Sequence, residues 1–147
     1  METHRRRPPF LPVVVLFALI LSACVSVAPF SERAYEQAIS LKVESLALMG
    51  MAEEPFGTHE GEVRRLMLEA RKAYEFAKGR PGNTMSARQW EILMSPDRNL
   101  LGGYLRRWEE ESVLSRTFID EARGLVSDAF DTIVGLESGK VKPSQVK

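Results

Sequence analysis

The chain contains one cysteine and two histidines among its 147 residues, and this scarcity excludes several kinds of site. One cysteine cannot form an internal disulfide, and it cannot supply a multi-cysteine zinc or iron–sulfur site. The formal net charge is zero, which argues against a protein that binds nucleic acid. Hydrophobic residues make up 44 % of the chain and charged residues 27 %. These are values of a globular chain rather than a disordered one.

The first long apolar run lies near the start of the chain and is too short to span a membrane. Three arginines at residues 5–7 precede it, and Pro12 alone interrupts the apolar residues from Phe10 to Leu21. Twelve helical residues rise about 18 Å, whereas the hydrocarbon core of a bilayer is about 30 Å thick. A basic start followed by a short apolar run and small residues is typical of a secretory signal peptide. The alternative is a buried N-terminal helix.

The apolar run ends in Leu21, Ser22, Ala23 and Cys24. These four residues resemble the lipobox of bacterial lipoproteins, in which a large apolar residue and two small ones precede a cysteine. The resemblance implies that the signal peptide, residues 1–23, is removed, that lipid is attached to the Cys24 sulfur, and that the freed amine is acylated. One acyl chain binds a membrane marginally, whereas two or three hold firmly. The alternative is a small buried cysteine after an ordinary signal peptide.

The residue after the cysteine indicates whether a lipoprotein stays in the inner membrane or is sent to the outer membrane. Val25 stands where an aspartate commonly marks retention in the inner membrane, so the resemblance implies the outer membrane, with the domain facing the periplasm. Residues 24–30 then form a tether that extends at most about 25 Å. We therefore expect the folded domain to lie close to the lipid headgroups. Without residues 1–23 the chain has a net charge of −2.

The remainder of the chain has the period of amphipathic helices. The clearest stripe lies in 58–79, where apolar residues recur every three or four positions. The pattern predicts helical arms over 31–52, 58–79 and 116–136, and a third arm over 86–111 that Pro96 breaks. We expect the N-caps to be Ser31, Thr58, Ser86 and Ser115. The predicted fold is an all-α, antiparallel four-helix bundle over 31–139, with a flexible tail over 140–147.

The sequence offers few groups for chemistry. His4 lies in the predicted signal peptide, so His59, beside Glu60 and Glu62, is the single imidazole from Cys24 onward. It lacks a second nitrogen or thiolate ligand nearby, so we expect a solvated first-turn residue rather than a metal ligand. The acidic run 109–111 is interpreted as a solvated face. The chain has no nucleophile elbow, phosphate-binding loop or HExxH motif, and we predict no catalytic residue, metal or cofactor.

A cluster in the second half of the third arm is the candidate binding surface. It consists of Tyr104, Arg106, Arg107 and Trp108. Such residues can bind phospholipid headgroups or a protein partner. The alternative places both aromatic rings inward and both arginines in solvent. Gly102 and Gly103 precede the cluster, and we interpret this pair as a close helix contact rather than a binding loop.

These features favour a non-enzymatic, membrane-anchored lipoprotein whose helical bundle docks a protein partner of the cell envelope. The alternative is a carrier or sensor of a small apolar ligand held between helices. A third interpretation is an enzyme that uses a pair of carboxylates, as one sequence does not exclude such a pair.

Overall fold

The computed structural model describes residues 28–146, which fold into α-helices and contain no β-strand. The helices are α1 (Glu32–Met49), α2 (Phe56–Lys78), α3 (Thr84–Met94), α4 (Leu101–Glu111) and α5 (Arg116–Glu137). A short 3₁₀ turn follows at Pro143–Gln145. The predicted signal peptide, the lipobox with Cys24, and the tether up to residue 27 lie outside the described residues.

The helices form an up-down-up-down bundle with four corners. Helix α1 packs against α2 and α5, and α3 packs against the other sides of α2 and α5. Helix α4 follows α3 in the same arm and reaches the start of α2, where the Trp108 ring meets the Phe56 ring edge-on at 5.5 Å. Two helices thus share the third arm, as Pro96 led us to expect, and the predicted all-α bundle is confirmed.

The bundle has two ends, which we name by their distance from residue 28. The near end contains the start of α1, the end of α2, the start of α3 and the end of α5. The far end contains the end of α1, the start of α2, the end of α4 and the start of α5. Backbone hydrogen bonds tie the far end together, because Leu114 N–H donates to Ala52 O at 2.8 Å and Phe56 N–H to Ser112 O at 2.8 Å.

A continuous apolar core stabilises the bundle along its length. The Trp90 ring of α3 meets the Phe130 ring of α5 edge-on, with centroids 5.8 Å apart. In its second half, α2 contributes only small buried side chains to this core, which let the neighbouring helices approach closely; these are Ala70, Ala73 and Ala77. Fully burying one Phe or Leu side chain contributes about 2 kcal/mol. A single amphipathic helix cannot bury its apolar face by itself, so each helix is stabilised by packing against the others.

Two of the four predicted N-caps are confirmed and two are wrong. The hydroxyls of Ser31 and Ser115 accept hydrogen bonds from the N–H groups of Ala34 and Phe118. Thr58 is not a cap, because α2 begins at Phe56, whose backbone and ring are held by the far end. Ser86 is not a cap either, because α3 begins at Thr84 and Ser86 is buried within it.

The glycine pair lies where the third arm is broken. A Cβ atom on Gly102 would stand 2.1 Å from the Met94 carbonyl oxygen, and one on Gly103 would stand 1.8 Å from that of Arg98. Only glycine permits the backbone of α4 to approach the end of α3, at Met94, and the connecting segment, at Arg98, this closely. The expectation of a close helix contact is confirmed.

After α5 the chain runs back along the near end. Val141 N–H donates to Gly135 O at 2.9 Å, and the Val141 side chain covers the surface of Gly135. This segment belongs to residues 140–147, which we predicted as a tail. Across residues 28–146, no helix combines the length and apolar character needed to cross a bilayer.

Candidate functional site

A groove between α4 and α5 is the candidate binding site. It encloses about 270 Å³, and its lining includes Tyr104, Arg107, Phe118, Glu121, Ala122 and Leu125. We call it the α4–α5 groove. The Leu125 side chain lies at its edge with 54 % of its surface exposed, although it belongs to an otherwise buried stripe of α5. The groove therefore presents apolar surface beside one basic and one acidic side chain.

The floor of the groove is a stack of two aromatic rings. The Tyr104 and Phe118 rings are parallel within 2°, with centroids 5.8 Å apart. Tyr104 is fixed from behind, because its hydroxyl donates to Met49 O at 2.7 Å. Burial raises the pKa of Tyr104, so this hydroxyl stays protonated and keeps donating. The end of α1 thus anchors the Tyr104 half of the floor.

The structure separates the four residues of the predicted surface. Tyr104 and Trp108 are buried, whereas Arg106 and Arg107 are exposed. This is the alternative arrangement, with both aromatic rings inward and both arginines in solvent. The Arg107 guanidinium lies 4.1 Å from the centre of the Phe118 ring and donates to Glu111 at 2.7 Å. Arg106 pairs with Asp97 on the outside of the arm. Of the four, Tyr104 and Arg107 line the α4–α5 groove.

His59 is buried at the far end, so the expectation of a solvated side chain is wrong. Its ring lies 5.6 Å from that of Trp108, and each ring nitrogen faces a carboxylate. Nδ1 is 2.6 Å from Glu62 and Nε2 is 2.8 Å from Glu54. The Trp108 indole N–H donates to Glu54 O at 3.0 Å. Sequence reasoning missed this because Glu54 and Trp108 come from other segments.

The two carboxylates stand on opposite sides of the imidazole, so they cannot converge with it on one metal ion. Within residues 28–146 no group of three or more His, Cys, Asp or Glu side chains is placed to hold a metal. The arrangement instead suits a protonated imidazole, in which both nitrogens donate. The hydrogen bonds to Glu62 and then Glu54 raise the pKa of His59 above 6.5.

The far end should therefore weaken as the solution becomes alkaline. Because the pKa of His59 is raised in the folded protein, its stabilisation is complete below pH 6.5 and is lost as pH rises through the folded pKa. Each pKa unit between the folded and unfolded states corresponds to about 1.4 kcal/mol. We expect the imidazole resonance in an NMR titration to have a midpoint above 6.5, and Glu62→Gln to lower that midpoint. A wild-type midpoint at or below 6.5 would contradict this account.

A buried carboxylate at the near end is the main polar feature of the core. The Glu137 side chain at the end of α5 is only 1 % exposed, and it forms an ion pair with Arg80. It also accepts hydrogen bonds from the Asn83 amide at 2.9 Å and the Ser86 hydroxyl at 2.5 Å. Arg80 in turn donates to the carbonyl of Pro29, just before α1. We call these residues the Glu137 cluster.

Sequence reasoning missed the Glu137 cluster, although one signal was present. Val126, Phe130, Ile133 and Glu137 recur at the spacing of one buried helix face, so a carboxylate occupies a core position. A charge in that register needs partners. The partners could not be named from the sequence, because they lie more than fifty residues away, in the turn between α2 and α3 and in the first turn of α3.

Comparison with known proteins returns no match: no family model, no curated protein and no solved structure resembles this chain.

Proposed function

We propose that the protein is a bacterial lipoprotein, anchored by lipid on Cys24 to the outer membrane and facing the periplasm. In this proposal its helical bundle is a non-enzymatic module that docks a protein partner of the envelope. The observation that carries the proposal is the sequence Leu21 to Cys24, which resembles a lipobox and directly follows the apolar run of an export signal. Cys24 is also the single cysteine of the chain.

The position of the first helix supports close attachment to the membrane. Helix α1 begins at Glu32, and Pro29 is already held by Arg80. The segment from Cys24 to Ala28 extends at most about 14 Å. The folded domain therefore begins within one short segment of the proposed lipid, which supports a module working at the membrane surface.

The α4–α5 groove supports a docking role. Protein interfaces are enriched in aromatic residues and arginine and are centred on a few buried anchors. The groove offers Phe118 beneath Arg107, with Leu125 exposed at its edge. A partner that inserts an apolar side chain there would cover Leu125 and meet Arg107 and Glu121 at the rim.

The exposure of the groove favours a protein partner over the alternative, an enclosed small apolar ligand. Small-molecule sites bury most of the ligand surface. In the α4–α5 groove, Arg107, Glu121 and Leu125 of the lining are exposed. A small apolar ligand in this groove would keep part of its own apolar surface exposed to water. An apolar side chain of a protein partner would not, because the rest of the partner would cover the groove.

Photocrosslinking in intact cells tests the docking proposal. A photoreactive residue is placed at Leu125, in the groove, or at Leu68 on α2, at the diagonal corner of the bundle. Leu68 is a matched control, because it is also a leucine within a helix and is 52 % exposed. We expect a discrete covalent adduct with an envelope protein from position 125, none from position 68, and loss of the adduct with Arg107→Glu.

Two results would contradict the docking proposal. Equal adducts from both positions would mean that contacts are nonspecific. No adduct from position 125, combined with a small apolar molecule that copurifies in native mass spectrometry, would favour the carrier.

A further inference from the structure

Basic side chains predominate at the near end of the bundle. Its outermost positions carry Arg33, Lys78, Arg80, Lys140 and Lys142. The outermost acidic residues are Glu32 and Glu137, and Glu137 is buried in its ion pair with Arg80; the exposed Glu36 and Glu75 lie one helical turn further in. Arg33 and the three lysines are exposed. The near end therefore presents a positive surface to whatever lies against it.

The far end carries the opposite charge. Its outermost exposed positions include Glu53, Glu54, Glu109, Glu110 and Glu111. Arg116 is the outermost basic residue there, and it pairs with Glu53 and Asp120. Arg106 and Arg107, one helical turn further in, pair with Glu110 and Glu111. Helix α2 runs between the two ends over 23 residues, or about 35 Å. Charge is thus separated along the long axis of the bundle.

The chain leaves the bundle on the basic side. Residues 28–31 lead into α1 at the near end, beside Arg80, and Cys24 is only four residues before Ala28. Phe30 is 62 % exposed there, with its ring 6.1 Å from that of Tyr35. An exposed aromatic ring among lysines is the composition of a surface that lies in the headgroup region of a membrane.

We infer that the near end rests on anionic phospholipid headgroups, with the bundle standing on the membrane and the far end pointing away. This inference rests on the proposed lipid at Cys24, which brings the near end to the membrane. The four exposed basic side chains then attract the anionic headgroups. Electrostatic interactions are screened within about 10 Å at ordinary salt concentration, so the acidic far end, about 35 Å away, adds little repulsion. The α4–α5 groove lies toward the far half, open to a protein partner rather than to headgroups.

Site-specific fluorescence quenching on the lipidated protein tests this orientation. Because lipid would occupy the sulfur of Cys24, an introduced cysteine is the one free thiol. A fluorophore is attached at Ser144→Cys, at the near end, or at Val113→Cys, at the far end; both positions are exposed. The protein is bound to vesicles with or without phosphatidylglycerol, and a spin-labelled headgroup lipid is the quencher. We expect stronger quenching at position 144 than at position 113, and we expect phosphatidylglycerol to increase this difference several-fold.

Charge reversal provides the matched control. The triple variant Lys78→Glu, Lys140→Glu, Lys142→Glu should abolish the increase in quenching at position 144 that phosphatidylglycerol causes. The variant Arg64→Glu, Arg65→Glu, Arg71→Glu makes the same change of charge at exposed positions along α2 and should leave the quenching intact. Equal quenching of both labels would mean that the bundle lies on its side, and it would overturn the inference. Weak quenching of both labels, or a difference between the labels that phosphatidylglycerol does not change, would also overturn it.

The mass of each purified sample is measured first, which separates this inference from the proposed function. An unlipidated N-terminus overturns the proposed function. A lipidated protein without the expected quenching overturns the orientation alone.

Discussion

Replacing Glu137 with alanine should lower the free energy of unfolding by about 3–5 kcal/mol, because it removes one partner of a buried ion pair. The Arg80 guanidinium, the Asn83 amide and the Ser86 hydroxyl all lose their shared acceptor. Asn83 and Ser86 are buried and cannot recover the loss from water. In a domain of this size the loss corresponds to a fall in Tm of about 10–20 °C, measured by circular dichroism.

Two further variants make the Glu137 prediction specific. Glu137→Gln retains an oxygen that accepts hydrogen bonds from Asn83 and Ser86, so it should lose less stability than Glu137→Ala. Should Glu137→Ala fail to fold, we expect Glu137→Gln to fold and to carry the test. Asp131→Ala removes another ion-paired carboxylate of α5, but Asp131 is 58 % exposed and pairs with Lys42 at the surface. Such pairs contribute about 0–1 kcal/mol. A similar small loss from Glu137→Ala and Asp131→Ala would contradict the role of the Glu137 cluster.

Replacing Gly103 with alanine should be nearly as damaging, for a steric reason. The new Cβ atom would stand 1.8 Å from the Arg98 carbonyl oxygen, so the backbone at the break in the third arm would have to separate by more than an ångström. Overpacking costs about 1–3 kcal/mol, and a clash with backbone belongs at the upper end of that range. Urea unfolding should give a lower midpoint with an unchanged slope.

The chain offers glycines that serve as controls for Gly103. A Cβ atom on Gly61 in α2 or Gly124 in α5 would meet nothing within 4 Å. Both lie within helices, where alanine is favoured over glycine by about 1 kcal/mol. Gly61→Ala and Gly124→Ala should therefore raise the midpoint, opposite in sign to Gly103→Ala. If all three substitutions shift the midpoint in the same direction, the close approach to the Arg98 carbonyl is not the reason for glycine at position 103.

The sequence predicted those parts of the fold that depend on local interactions. The 3.6-residue period located every arm, because amphipathic stripes reflect which helix face is buried. Ser31 and Ser115 were identified as caps because a hydroxyl and an N–H three residues later are enough to form one. The break at Pro96 and the close contact at the glycine pair also follow from constraints on single residues.

The parts that could not be predicted depend on distant residues. The start of α2 moved from Thr58 to Phe56, because Phe56 is held by Ser112 and Trp108 of the far end. Ser86 was predicted to be an N-cap, but its hydroxyl instead donates a hydrogen bond to Glu137 in the core. His59 is buried for the same reason, since Trp108 covers it and Glu54 pairs with it. In each case the helix was predicted, and the partner from another segment was not.

The candidate groove was predicted only in part. Two of the four residues singled out in the sequence, Tyr104 and Arg107, line the α4–α5 groove. The other half of the groove comes from α5, and the sequence alone could not show that Phe118 stacks on Tyr104. Leu125 is an apolar residue next to the buried Val126, but it is exposed at the groove edge.

The attachment of lipid to Cys24 is the central claim, and the intact mass of the protein purified from bacterial membranes tests it most directly. We predict a chain that begins at Cys24 and carries the added mass of two or three acyl chains, with thioether-linked lipid on the cysteine. Cys24→Ser should carry no lipid and incorporate no labelled palmitate. A wild-type mass without lipid, or a chain that begins elsewhere, would contradict the account.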